Sequence, residues 1–233
     1  MMTTATRMGR PPALNREAIA HAVIDVGFTN LTVAAVRDRL GVGQTTLYRY
    51  AADRDELVRI GLSHLLEHAT WPSRDGTWRQ VLTQHALALW HLWEAHPGSA
   101  TEAARGVLPL TMMRLTDDLC AILLRQGFTP EGAILACDIV FDMVTDNRRG
   151  LEDHNYIGPN ADAGAGHFHD HQHGYPNQAK SGSGHPATEE ERLAIHAAIK
   201  QAVTADPLDW FTRKLRVALD GVERSLAPKS AGP

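Results

Sequence analysis

Two stretches of this 233-residue chain carry side chains arranged for chemistry. The first is Gln44-Thr45-Thr46-Leu47-Tyr48-Arg49-Tyr50, directly after Gly41-Val42-Gly43. A Gln amide pairs bidentately with an adenine edge, and a Thr offers a hydroxyl together with a methyl that suits thymine. The phenols of Tyr48 and Tyr50 and the Arg49 guanidinium suit phosphates, contacts that position a protein on a duplex and carry little sequence information. Leu47 has no such use and is expected to face a core. The second stretch runs from His167 to His173 and places imidazoles at His167, His169, His171 and His173. Four rings at every second position converge on Zn²⁺, Ni²⁺ or Cu²⁺ only if the chain curls or a second chain helps. The other reading is a polar loop that takes up metal adventitiously. Asp138, Asp142 and Asp146 share one face of a helix. They supply ligands, touch a small molecule, or form a solvated or intersubunit polar stripe.

These side chains need a scaffold, and the spacing predicts an all-α one. Gly9-Arg10-Pro11-Pro12 cannot be helical, so residues 1–14 read as a flexible arm. Asn15 is placed to cap a helix with Glu17 in its first turn and Ile19, Ala22, Val23 and Val26 on one face, stopped by Gly27. Thr32 caps a second helix bearing Val33, Val36 and Leu40. The Gly41-Val42-Gly43 break follows, then a short third helix over about 44–50. Asp53 caps a fourth, with Leu57, Ile60, Leu65 and Leu66. Further helices are expected near 76–95, 100–107, 109–126, 130–150, 188–204 and 207–226, separated by Pro97-Gly98, Pro109, Gly127 with Pro130, and Pro207. No stretch alternates with period two between hairpin turns, so no sheet is expected. Residues 151–187 hold six Gly, six His and three Pro and read as a mobile loop or a segment ordered only by a ligand; 227–233 reads as a disordered tail.

Charge divides the chain further. The net charge is −4, yet residues 1–60 hold eight Arg against six acids, while all four lysines lie at 180 or beyond. The basic part is at the front, where the short helices are. Two cysteines, Cys120 and Cys137, rule out a disulfide scaffold and a zinc finger. With 43% hydrophobic residues the chain can bury a real core. No apolar run has the length of a signal-peptide core or a membrane span, so a cytoplasmic protein with no membrane partner is expected.

Two short helices joined at Gly41-Val42-Gly43 form a helix-turn-helix pattern. The string Leu31-Thr32 … Leu40-Gly41-Val42-Gly43-Gln44-Thr45-Thr46-Leu47-Tyr48-Arg49-Tyr50 … Asp53-Arg54-Asp55-Glu56-Leu57 resembles the DNA-binding head of TetR-family repressors, over about residues 14–62. The resemblance implies a helix-turn-helix head at 15–62 and a larger helical effector-binding and dimerisation body at 63–226. It implies a phosphate-contacting cap at Thr32, base-reading positions at Gln44, Thr45 and Thr46, and base or backbone contacts at Tyr48 and Tyr50. Arg54 stands where the family usually has a phosphate-contacting Lys. Arg37, on the second helix, and Arg49 are further candidates for DNA contact.

In the body, four of the five Trp lie between Trp71 and Trp93, and His85–Trp93 is apolar nearly all round. A helix of that kind is buried or lines a cavity. Trp78, His85, Trp90, Trp93, Met112, Met113 and Phe141 are the candidate pocket residues for an unknown small-molecule effector; an ordinary core is the plain alternative. The apolar stripe Phe211, Leu215, Leu219 and Val222, with Ile134 and Phe141, is expected to form a homodimer interface, because palindromic operators demand a two-fold protein; the alternative is a stripe packed only within its own subunit. GxSxG, GxGxxG, Walker and HExxH motifs are absent, so no enzyme is expected and no cofactor is required. The expectation is a ligand-released repressor that binds operator DNA as a homodimer. The rivals are a metal-responsive regulator sensing through the His-rich loop, and a helical ligand-binding protein or enzyme with a vestigial head.

Overall fold

A computed structural model describes residues 14–156 and 187–228. Among these residues every regular element is helical: α1 Arg16–Val26, α2 Val33–Leu40, α3 Gln44–Tyr48, α4 Arg54–His68, α5 Trp78–Ala95, α6 Ser99–Ala104, α7 Leu110–Arg125, α8 Pro130–Tyr156, α9 Glu189–Thr204 and α10 Pro207–Ser225. The all-α expectation holds. The predicted caps hold too: Asn15 Oδ1 accepts from Ala18 N at 2.7 Å, Thr32 Oγ1 from Ala35 N at 3.0 Å, and Asp53 Oδ1 from Glu56 N at 2.8 Å. Helix α8 overruns its expected end, 150, because Leu151–Tyr156 contains no breaker and the Gly- and Pro-rich composition starts only at Gly158-Pro159. The four-histidine run at 167–173 lies outside the described residues.

The chain divides into two compact units. The first joins the described residues up to Thr70 with Leu92–Leu115, so α6 groups with the head helices. Its core is Ile19, Val23, Phe28, Leu31, Val36, Leu47, Leu57, Ile60 and Leu62, all buried. Helices α1 and α4 approach closely at Gly61: a Cβ there would stand 2.6 Å from Val23 Cγ1 and 3.0 Å from the Phe28 ring. Gly98, at φ +87, sets α6 against the turn at Phe28–Asn30, where a Cβ would meet Thr29 N at 2.7 Å. The Thr29 hydroxyl donates to the Pro97 carbonyl at 3.3 Å beside it.

The second unit holds Trp71–His91 and the described residues from Thr116 onward. Its core gathers Val81, Leu82, Leu89, Trp90, Leu119, Leu123, Val140, Val144 and the α10 stripe Phe211, Leu215, Leu219 and Val222. The Trp90 and Phe211 rings stack with centroids 4.6 Å apart. Gln126 ties the start of α5, accepting from Trp78 N at 2.6 Å and donating to the Gly76 carbonyl at 3.0 Å. Arg79 of α5 pairs with Asp220 and Glu223 of α10. Cys120 and Cys137 lie buried with their sulfurs 3.7 Å apart. Helix α9 opens with a capping box from Thr188 and Glu191 and buries none of its residues.

Candidate nucleic-acid interface

The local sequence dictates how α3 is presented. Gly41 closes α2 in the left-handed conformation, φ +63, and its N–H donates to the Arg37 and Asp38 carbonyls. The chain turns there at no steric cost, as only Gly does readily. Helix α3 then holds on by one side chain. Leu47 is 0% exposed, whereas Gln44, Thr45, Thr46, Tyr48, Arg49 and Tyr50 are all exposed, Tyr48 at 44% and Tyr50 at 42%. Two phenols that large left outward on a small unit are a surface offered to something.

The basic side chains around α3 are committed to different degrees. Arg37 bonds Asp38 next to it in sequence, at 2.8 and 2.6 Å, and Arg39 reaches Asp25 of α1. Both pairs are solvent-exposed, so each is weak and a phosphate competes with it readily. Arg49 is exposed and enters no ion pair among the described residues. Thr32 spends its hydroxyl on the α2 cap.

Arg54 is held differently. Its Nη2 and Nη1 donate to the two carboxylate oxygens of Glu102 at 2.7 and 3.0 Å, and its Nε donates to the Leu31 carbonyl at 2.9 Å. The Glu102 side chain is 7% exposed and also receives Arg105. Burial pushes the Glu102 carboxyl up, but the hydrogen bonds and charges of Arg54 and Arg105 outweigh it and hold it below the usual carboxylate range. The same bond to Glu102 raises Arg54. Glu102 escaped the sequence reading. Its signal is a single carboxylate in Ser99–Ala104, a helix of otherwise small residues, where a buried acid requires a cation.

Residues 17–59 match the family model described as bacterial regulatory proteins, tetR family. The head belongs to the tetR family. The chain is also 28% identical over 167 residues to the HTH-type transcriptional repressor DrrR1 of Streptomyces coeruleorubidus, a match that covers 62% of this chain and 61% of that protein. The chain thus spans about three-fifths of that relative. The fold is that of the Streptomyces coelicolor TetR family protein ActR in complex with actinorhodin, with a TM-score of 0.71 at 22% identity over 95% of this chain and 100% of the other. Apo ActR matches with a TM-score of 0.69 at 18% identity, covering 91% and 96%. A possible TetR family regulator from Streptomyces coelicolor A3(2) matches with 0.69 at 19%, covering 90% and 99%.

The expected pocket residues divide between the units. Trp78, His85, Trp90 and Phe141 belong to the second, and Trp93, Met112 and Met113 to the first, where Met113 is exposed. His85, Trp90 and Trp93 are fully buried. His85 Nδ1 meets the Val81 carbonyl at 2.8 Å, and burial lowers its pKa, so the ring is neutral with Nε2 as an acceptor. That Nε2 and the Trp90 indole N–H have no hydrogen-bond partner among the described residues. The expected interface residues divide as well. Phe211, Leu215, Leu219 and Val222 are buried inside their own chain, because α10 turns its apolar face onto α8 and α5 of the same unit. The apolar side chains that α8 and α10 leave outward are Ile134, Leu135, Ile139 and Val217. A groove of about 400 Å³ opens there, lined by Met143, Trp210, Arg213, Lys214, Val217 and Ala218. Among the described residues no group of three His, Cys, Asp or Glu side chains is placed to hold a metal ion, and no helix is long and apolar enough to cross a membrane.

Proposed function

We propose that this protein is a cytoplasmic transcriptional repressor that binds a palindromic operator as a homodimer and is released by a small organic effector. The observation that carries this reading is the exposed run Gln44–Tyr50 standing on the buried Leu47. The Gln and Thr side chains read base edges in the major groove, while Tyr48, Arg49, Tyr50 and the weakly paired Arg37 take the backbone. Two copies meet through the outward apolar side chains of α8 and α10, Val217 among them. His85 Nε2 and the Trp90 N–H, without partners among the described residues, support an effector in the second unit. Buried polar atoms without partners are rare and costly, and a ligand hydroxyl or carbonyl satisfies them. A relative of the same fold is known with actinorhodin bound. The effector acts only through its differential affinity for the operator-competent and released states.

Selection from a random duplex library tests this, followed by titration of the enriched site at two salt concentrations. A palindrome bound tightly, with affinity falling steeply as salt rises, is the expected result. No enriched site with ligand-free protein, and no binding at low salt, overturns it.

A further inference from the structure

Arg54 stands at the first position of α4, where resemblance implies a phosphate contact, yet its guanidinium is engaged inside the protein on both edges. One edge grips Glu102 of α6 with two hydrogen bonds, and the Nε holds the Leu31 carbonyl. Leu31 is buried and immediately precedes Thr32, the N-cap of α2. The guanidinium therefore fixes the point at which the chain enters the helix-turn-helix. Two further contacts bind α6 to the same corner. Gly98, just before α6, leaves no room for a Cβ against Thr29. Arg105 bridges Glu102 to Asp55 of α4, reaching Asp55 at 3.4 Å.

We propose that Arg54 and Glu102 form a clamp that positions the helix-turn-helix for operator binding, which makes a carboxylate on α6, far from the recognition residues in sequence, a requirement for reading DNA. The proposal rests on the operator-binding function above. Glu102 touches no DNA in it; it acts through Arg54, and Arg54 acts through the Leu31 carbonyl and the Thr32 cap. A bidentate guanidinium–carboxylate pair suits this task because two parallel hydrogen bonds fix direction as well as distance. A Lys in place of Arg54 keeps the charge but loses the fork and the third bond.

The full-length protein and its selected operator serve for the test, with Arg54→Lys, Arg54→Ala, Glu102→Gln and the Arg54→Ala/Glu102→Gln double variant. Circular dichroism confirms that each is folded. The clamp requires Arg54→Lys and Glu102→Gln each to weaken operator binding roughly tenfold, with the dependence of log K on log salt unchanged, since no phosphate contact is lost. The double variant then binds about as weakly as Arg54→Ala alone, because the two residues act as one unit. Three results would overturn the clamp while leaving the regulator intact. These are an Arg54→Lys protein that binds like wild type, a Glu102→Gln protein that binds as tightly or more tightly, and an Arg54→Ala protein whose salt slope falls by about one phosphate contact. A wild-type protein that binds no duplex overturns the function and the clamp together.

Discussion

His64 and His68, one turn apart on α4, lie ring against ring with centroids 4.0 Å apart, and His21 of α1 meets His64 edge-on at 4.8 Å. His64 thus has an imidazole on either side. Burial is the largest cause that lowers the His64 pKa, followed by the charges His68 and His21 would carry; Glu17 and Glu67 oppose them. The unfolded chain therefore binds a proton at this site more readily than the folded one. Stability from this site is fully present above the ordinary histidine value of about 6.5 and is lost as pH falls through the lower folded value. Thermal melts from pH 7.5 to 5.5 should show a falling Tm, and His64→Gln should flatten the slope. An unchanged slope in that variant would place the acid sensitivity elsewhere.

The α1–α4 crossing at Gly61 predicts a strong response to one methyl group. Gly→Ala inside a helix ordinarily stabilises by about 1 kcal/mol. Here the new Cβ would press on Val23 and Phe28, both buried. Overpacking costs about 1–3 kcal/mol. Gly61→Ala should therefore unfold at lower denaturant than wild type, read by chemical denaturation.

On α3 the prediction separates binding from folding. Thr46→Ala and Tyr48→Ala alter exposed side chains and should leave Tm within error. Each should weaken operator binding by about 1–3 kcal/mol if its side chain reaches a base edge or the backbone. Leu47→Ala should do the opposite first, losing about 2–5 kcal/mol of stability by opening a cavity under the helix. Titration beside a melt for each variant gives both readings.

The outward and inward faces of α10 should behave differently as well. Val217→Arg places a charge on an exposed site and should shift the protein from dimer to monomer in sedimentation without unfolding it. Phe211→Ala removes a ring stacked on Trp90 in the core and should cost about 3–5 kcal/mol of stability. A Val217→Arg protein still fully dimeric would move the interface off this face.

The head was readable because its signals are local. Asn15, Thr32 and Asp53 each sit three residues from the N–H they cap, and Gly41 needs no partner beyond α2 to make its turn. The Arg54–Glu102 pair spans 48 residues, and no local pattern states which acid a distant Arg will find. The α10 stripe shows the intermediate case. Its period announced a buried face, but amphipathicity names no covering partner, and its own unit supplied one. Buried orphan atoms such as His85 Nε2 emerge only once packing is known.

Cys120 and Cys137 are the only cysteines in the chain, and both are buried. Burial pushes both thiols up, Cys137 the further, so neither offers a thiolate at neutral pH. Maleimide reagents should pass the native protein by. A cysteine introduced at an exposed site on α3, such as Thr45, should then take a fluorophore alone, with the two natural thiols left in place. The unmodified chain is thereby a ready host for a single dye beside the recognition surface, and the same pair becomes reactive only on unfolding, counting opened molecules by mass.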